Sequence, residues 1–260
     1  MILKTLAIAS VCLCGEASER ANDFQGEKDR TGFRPPAVPL AVNDPYLSLW
    51  SPADRLTDAE TMHWSRDAQP LSVVGEVNGR TWRFCGVEPR DVPAAKQLSV
   101  AVRCCETVYE FDADGVRVEL RFSTPFVPGE EEAFARPVTY LTVKGAKAKV
   151  TVSPAFATDD DAAEMVTNRT TVAGCPAVSI RRKNPKFLET GDTVRPNGGN
   201  VWLVDAGETF LLAFDAVKDM TFLSREAKAW WRRDGKSFET MLAEALRDCP
   251  RLMREMEAAL

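Results

Sequence analysis

The sequence predicts a mostly β protein: an antiparallel β-sandwich with a proline-rich N-terminal strap and a C-terminal amphipathic helix. Three observations support this fold class. Residues 65–222 form a succession of short, strand-like runs with no helical period between them. Residues 33–64 carry five prolines and many apolar side chains. Residues 223–260 then change to a helical spacing of apolar positions.

The first 32 residues precede this fold. Residues 1–17, with the apolar run Leu6–Leu13, predict a secretory signal peptide, and we therefore expect export to the periplasm or the cell exterior. Cys12 and Cys14 leave a lipoprotein signal open, although a large residue precedes each of them. Residues 18–32 are polar and predict a flexible leader.

The strap, residues 33–64, cannot form a helix interior or a central strand, because proline fixes φ and lacks a backbone donor. It is nevertheless too apolar to be a solvated linker. We expect an extended segment lying across a folded body, with these side chains buried: Val38, Leu40, Val42, Tyr46, Leu47, Leu49 and Trp50.

The strand region is punctuated by turn signals. Asn78-Gly79 stands between two alternating runs, and both residues suit the positive φ of a hairpin turn. Val116–Phe122 alternates strictly, with Val116, Val118, Leu120 and Phe122 on one face. Ser99–Cys104 and Asn200–Val204 predict further strands, and Pro125–Ala135 predicts a loop.

At the C terminus, Ser237 predicts the N-cap of a helix, and Pro250 predicts either a kink or the start of a second helix. The apolar stripe along this helix must be shielded from water by other apolar groups. Either it packs on the sandwich, or a partner or further domain covers it. Its positions are Phe238, Met241, Leu242, Ala245, Leu246, Cys249, Leu252, Met253 and Met256.

Composition excludes several functional classes. The formal charge of −5 and the lack of a basic stripe argue against a nucleic-acid partner. No apolar run is long enough to predict a membrane span. Asp159-Asp160-Asp161 lacks the alternating spacing of a calcium loop and predicts a solvated loop, so we predict no metal site and no cofactor.

Five cysteines follow the predicted signal, an odd number without a CxxC motif, which argues against a zinc site or a disulfide scaffold. One disulfide remains possible, but small buried hydrophobic side chains are the simpler interpretation. Cys104 and Cys105 would point to opposite faces of a strand, which argues against a bridge between them. The five are Cys85, Cys104, Cys105, Cys175 and Cys249.

Several segments together resemble a known family. They are Arg34–Leu40, Asp44–Trp50, the Val77–Phe84 hairpin, Tyr109–Phe122 and Arg136-Pro-Val-Thr-Tyr-Leu141. In this order, over roughly residues 33–250, they are similar to the N-terminal region of secreted glutaminase A-type proteins of fungi and bacteria. The resemblance implies a β-sandwich followed by a helical catalytic domain of the six-hairpin toroid type. None of that domain's motifs occur here, so no catalytic residue can be assigned.

The strap supplies the candidate binding residues Trp50, Asp54, His63 and Trp64. His63 is the sole histidine, so a nucleophile–histidine pair could be built only around it, and no GxSxG motif is present. A histidine packed beside a tryptophan is the simpler interpretation. Asp54 is explained more simply as a turn-forming residue than as a glycosidase acid. Trp50 and Trp64 are either packing residues or a sugar-stacking surface.

The sequence therefore predicts a non-catalytic sandwich domain that supports a helical catalytic domain or separate subunit, packed on the strap and the C-terminal helix. A free-standing carbohydrate-binding or surface-interaction module, with a glycan as ligand, is the alternative. A hydrolase using His63 or a strap carboxylate as its base is a third hypothesis.

Overall fold

Antiparallel sheets dominate the fold, and one long helix follows them, as the sequence predicts. The structure is a computed structural model that describes residues 36–44, 47–153, 164–183, 186–190, 193–197, 200–215, 220–222 and 225–259. The predicted signal peptide, the leader, Tyr46 and Asp159–Asp161 lie outside these ranges, as does the side chain of Leu47.

The strands are assigned as follows. They are β1 (Val38–Asp44), β2 (Leu47–Ser51), β3 (Leu71–Val77), β4 (Arg80–Cys85), β5 (Lys96–Val102), β6 (Glu106–Ala113), β7 (Val116–Ser123), β8 (Val138–Lys144), β9 (Lys147–Val152), β10 (Met165–Val172), β11 (Cys175–Arg182), β12 (Lys186–Thr190), β13 (Thr193–Asn197), β14 (Asn200–Asp205), β15 (Thr209–Asp215), β16 (Met220–Phe222) and β17 (Arg225–Ala227). The helices are α1 (Glu131–Phe134) and α2 (Phe238–Ala259), with a 3-10 turn at Trp230–Arg232.

Two sheets face each other across the main core. One has eight strands in the order β10-β11-β14-β15-β8-β7-β6-β5, and the other has three in the order β4-β3-β9. Strand β3 contributes Val73 to the core and β7 contributes Leu120, both with no exposed area. This arrangement confirms the predicted antiparallel sandwich, because the alternating strands bury one face between the sheets.

The predicted turns and alternation are confirmed where the local signal is strong. Asn78 and Gly79 have φ of 52° and 75° and close the β3–β4 hairpin. In β7, Val118, Leu120 and Phe122 are buried while the intervening positions are more open.

The strap begins as a two-stranded hairpin, β1–β2, rather than a single extended segment. Val38, Leu40 and Leu49 are buried in the main core, as expected. The expectation is wrong for Val42, which is 45% exposed. The β1–β2 register shifts between Val42 and Asp44, and such a bulge can turn a side chain away from the core.

The outer face of the eight-stranded sheet carries a second core, which α2 covers. Met241, Leu242 and Ala245 have no exposed area and pack with Tyr140 and Trp202 of the sheet. Burying each large apolar side chain contributes roughly 1.5–3 kcal/mol. The helical stripe is therefore covered by the protein's own sheet, the first of the two predicted alternatives.

Helix α2 starts and continues for identifiable reasons. The Thr240 N–H donates to the Ser237 Oγ at 3.1 Å, which confirms the predicted cap. The Tyr140 hydroxyl donates to the Ala245 carbonyl at 3.0 Å and ties the helix to β8. The helix runs through Pro250 as one element, so no second helix starts there.

The predicted loop from Pro125 to Ala135 contains the short helix α1. The Phe134 N–H donates to the Glu130 carbonyl at 3.0 Å. Glu131 and Glu132 occupy the first turn, where negative side chains are favourable. The sequence did not predict this turn because no apolar period marks so short a helix.

All five described cysteines are free thiols. Cys85 is buried, in agreement with the small-hydrophobe interpretation, whereas Cys104 is exposed. Strand β5 ends at Val102 and β6 begins at Glu106, so Cys104 and Cys105 lie in the turn between them. The premise that they point to opposite faces of a strand is therefore wrong.

Candidate interaction surface

Two of the sequence-predicted residues are held against neighbouring strands. Trp50 lies in β2 and pairs with Met62 through its backbone, with N···O distances of 2.8 and 2.9 Å. Its side chain is half-buried, and its buried indole N–H has no hydrogen-bond partner among the described residues. Asp54 is exposed, and its carbonyl accepts from the Gln97 side chain of β5 at 3.2 Å.

His63 and Trp64 lie together in a tight turn after Met62. The His63 N–H donates to the Asp67 carbonyl at 2.9 Å, and the ring centroids of His63 and Trp64 are 5.5 Å apart. Trp64 is 61% exposed. Backbone pairing of Met62 with Trp50 brings this turn to the edge of β2, whereas Asp54 is tied to a different strand.

A serine and a carboxylate beside His63 do not form a nucleophile–base arrangement. The Ser65 hydroxyl donates to the Asp67 carboxylate, and the His63 Nδ1 lies 2.6 Å from the Ser65 Oγ. The serine proton is therefore directed to Asp67 rather than to the imidazole. These contacts stabilise a turn whose Arg66 has φ of 78°, and they favour a structural role for His63.

A cavity of about 310 Å³ lies beside the strap, and we call it the aromatic groove. Strand β1, the β5–β6 turn and the segment after β7 form its walls. Its lining residues are Pro39, Leu40, Val42, Arg103, Cys104, Cys105, Glu106, Thr107, Phe122, Thr124, Phe126 and Phe134.

Large apolar side chains are exposed at this groove. Val42, Phe126 and Phe134 are 45%, 47% and 57% exposed. The two phenylalanine rings meet edge to face, with centroids 5.0 Å apart and planes at 78°. Exposed aromatic side chains gathered at one concave site are typical of interaction surfaces.

Hydrogen bonds and ion pairs of β6 hold the walls of the groove in place. The Thr107 hydroxyl donates to the Pro39 carbonyl at 2.7 Å and joins β6 to the strap. Glu106 is 5% exposed and accepts from Arg103 at 2.6 Å and Arg121 at 3.1 Å, so its buried charge is paired on both sides. These contacts tie the strap and the β5–β6 turn to the same strand, β6.

The aromatic wall is anchored by ion pairs to α2 and to the segment just before it. Glu130 binds Arg251 through two contacts of 2.7 and 3.0 Å, and Glu132 accepts from Lys236 and Arg233 at 2.6 Å each. The hydrogen bonds from Lys236 and then Arg233 hold the pKa of Glu132 at about 2. Phe134 lies two residues after Glu132, so these ion pairs fix its exposed position.

A buried arginine completes this anchor. Arg136 is 7% exposed, and three carboxylates surround it: Asp248 at 2.8 Å, Glu244 at 3.6 Å and Glu132 at 3.8 Å. A buried charge persists only when it is paired in this way. The result is a rigid connection between the segment after β7 and the helix on the outer face.

Sequence reasoning missed Phe126 and Phe134 as surface residues. Both stand in a segment rich in proline and glutamate, without apolar neighbours at a strand or helix spacing. This lack of apolar neighbours is the one local signal that could have indicated that the two side chains are exposed. Their ion-pair anchors are about a hundred or more residues away in the chain and leave no local pattern.

Neither a metal site nor a membrane helix is found among the described residues. No three His, Cys, Asp or Glu side chains converge there in a way that could hold a metal ion. No helix in those ranges has the length and apolar character needed to cross a bilayer. The geometry instead offers a preorganised apolar groove with charged supports.

The chain is similar to one protein family and to a fungal enzyme. The family described as "Domain of unknown function (DUF4964)" matches residues 8–95, which include the strap and the β3–β4 hairpin. Glutaminase A of Aspergillus oryzae is 29% identical over 120 residues, which is 42% of this chain and 17% of that protein. The chain thus spans a small part of the relative's length, and over that part it is similar to Glutaminase A.

Proposed function

We propose that this chain is a non-catalytic β-sandwich domain that supports a helical catalytic domain, which binds through the aromatic groove. The observation that carries the proposal is the pair Phe126 and Phe134, held in an exposed position by ion pairs to α2. A preorganised apolar surface loses little side-chain entropy when a partner covers it.

The partial match to Glutaminase A supports a role within a larger enzyme. The aligned stretch is 17% of that protein, so most of the relative lies outside it. The family resemblance implies that a helical domain follows the sandwich. Phe126 and Phe134 are suited to contact apolar side chains on such a partner, and central aromatic contacts carry much of the energy of an interface.

The contacts of α2 narrow the choice of the surface that binds the partner. The prediction from sequence placed the partner on both the strap and the C-terminal helix. The apolar side chains of α2 are buried against the sheet, with Leu242 having no exposed area and Leu252 2%. Strand β1 lines the groove, so we retain the strap in the proposed interface and assign α2 an anchoring role.

The first test is genetic and then biochemical. A reading frame for a helical domain, in frame or at a neighbouring locus, should follow this chain; its absence would refute the proposal. The two parts are then co-expressed and their Kd is measured by calorimetry. Phe126→Ser with Phe134→Ser should weaken binding by about 100-fold, since each such contact contributes more than about 1 kcal/mol.

A matched control comes from β5. Leu98 is 42% exposed, comparable to the groove residues, and is absent from the groove lining. Leu98→Ser should leave the Kd unchanged. Equal weakening by both sets of variants would contradict a specific interface at the groove.

Glycan binding is the second candidate function, and the 61% exposure of Trp64 favours it. An exposed indole beside a polar turn can stack on a sugar ring. A glycan panel titrated against the wild type, Trp50→Ala and Trp64→Ala tests this idea. Absence of binding to every glycan would exclude it, as would identical binding by all three proteins.

We also propose that the protein is exported through the segment 1–17. In a bacterial or fungal expression host, the secreted form should begin close after Ala17 when its N terminus is sequenced. Retention of the intact N terminus inside the cell would contradict export.

A further inference from the structure

Two adjacent thiols occupy one tight turn at the aromatic groove. The Arg103 N–H donates to the Glu106 carbonyl at 2.8 Å and closes the β5–β6 turn around Cys104 and Cys105. The Thr124 N–H donates to the Cys105 carbonyl at 2.9 Å and holds this turn beside the segment after β7. Cys104 is exposed and Cys105 is half-buried.

We propose that Cys104 and Cys105 form a redox-active dithiol that a low-molecular-weight disulfide such as glutathione disulfide converts reversibly to a vicinal disulfide. The proposal concerns this chain alone and does not depend on the proposed function.

The exchange balances in two steps. The Cys104 thiolate, after loss of its proton to solvent, attacks one sulfur of glutathione disulfide; the S–S bond breaks, and one glutathione leaves and takes up a proton. The Cys105 thiol then loses its proton and attacks the Cys104 sulfur; the mixed-disulfide S–S bond breaks, the ring closes, and the second glutathione leaves and takes up a proton. Two protein thiols are oxidised, and one small disulfide is reduced to two thiols.

The structure assigns different roles to the two sulfurs. Cys104 is exposed, so an external disulfide can reach it first. Burial raises the pKa of the Cys105 thiol, and the neighbouring Cys104 and Glu106 add to this effect. Cys105 is thus a poor first nucleophile, but its place next to Cys104 in the same closed turn positions it to resolve a mixed disulfide.

Chain geometry makes this bridge reversible. Consecutive Cα atoms are about 3.8 Å apart, whereas relaxed disulfides span about 4.4–6.8 Å. The resulting strain makes a disulfide easier to reduce and places it with labile rather than structural bridges.

The other described cysteines are poorly placed to react with glutathione disulfide. Cys85 is buried in the main core, and Cys175 and Cys249 pack against the second core on the outer face of the sheet. The pair at the β5–β6 turn is therefore the expected site of intramolecular exchange among the described thiols.

Peptide mapping of the full chain tests the proposal. Reduced protein is incubated with glutathione disulfide, remaining thiols are alkylated, and the protein is digested with trypsin. Cleavage after Arg103 and Arg117 releases one peptide that contains both cysteines of the pair and no other. We expect this peptide to be unalkylated and lighter than its dithiol form by two hydrogen atoms.

Variants separate the steps. Cys105→Ser should stop at a glutathione adduct on Cys104, and Cys104→Ser should leave the peptide without an adduct. Cys175→Ser should form the vicinal disulfide like the wild type. A wild-type peptide that keeps a glutathione adduct, carries two alkyl groups, or is cross-linked to another cysteine would overturn the proposal.

Reversibility is measured on the same peptide. Reduced glutathione in about tenfold excess over its disulfide should restore the dithiol, as expected for a strained bridge. Persistence of the vicinal disulfide under these conditions would overturn the claim that it is labile.

Discussion

Leu242→Ala tests whether α2 is an integral layer of the fold. Leu242 has no exposed area and lies in the second core with Met241 and Trp202. The change removes three carbon atoms, worth roughly 2.4 kcal/mol at about 0.8 kcal/mol for each methylene. A residual cavity of about 40 Å³ would add about 1 kcal/mol. The free energy of unfolding should therefore fall by about 3–4 kcal/mol.

Urea unfolding followed by tryptophan fluorescence measures this loss. Trp231 and Trp202 lie near the start of α2, with ring centroids 5.6 and 5.9 Å from Phe238, so they report on its packing. With an m-value of about 3 kcal/mol/M, the midpoint should fall by about 1 M.

Arg254→Ala provides the matched control on the same helix. Arg254 is exposed, and its loss should change the free energy of unfolding by less than about 0.5 kcal/mol. If Leu242→Ala and Arg254→Ala shift the midpoint equally, α2 does not pack on the sheet as described, and the assignment of the groove as the partner surface loses its basis.

Three further substitutions test two charged residues that anchor the aromatic wall and the close backbone contact between Gly86 and Leu71. Arg136→Met should cost about 3–5 kcal/mol in urea unfolding because it leaves clustered carboxylates without their buried cation, whereas Arg247→Met, with a side chain 70% exposed, should cost little. The pKa of Glu132 is about 2 in the fold against an ordinary 4.5, so its contribution is complete above pH 4.5 and is lost as the pH falls toward 2. The stability gap between wild type and Glu132→Gln should thus shrink from pH 6 to pH 3, and a constant gap would contradict this cause. Gly86→Ala should lower the Tm far more than Gly174→Ala: both have positive φ, but a Cβ at Gly86 would lie 2.5 Å from the Leu71 carbonyl oxygen, whereas Gly174 faces open space.

Sequence patterns predicted the elements whose signals are local. Asn78-Gly79 carries its turn chemistry in two adjacent residues, and Val118 and Leu120 share the strict alternation of a half-buried strand. The helix start at Ser237 is equally local, because its hydroxyl caps an N–H three residues later.

The remaining features depend on contacts between distant parts of the chain. The turn at Cys104 has no glycine or proline; it is closed by the backbone and by the Arg103–Glu106 ion pair of 2.6 Å. The exposure of Phe134 depends on Glu130 binding Arg251, which is 121 residues further along. The structure adds the aromatic groove as a candidate separate from the predicted binding residues of the strap, none of which lines it.

Strand β15 is aggregation-prone once it is exposed, because its central position has allowed a mostly apolar composition. Thr209–Phe214 contains six consecutive residues without charge, glycine or proline, and Phe210–Phe214 are all buried. In the folded protein, β14 and β8 pair with both of its edges. Unfolding would expose a segment with the composition of an amyloid-forming strand. Thermal unfolding should therefore become irreversible as protein concentration rises, and the rate of aggregation should depend on this buried strand.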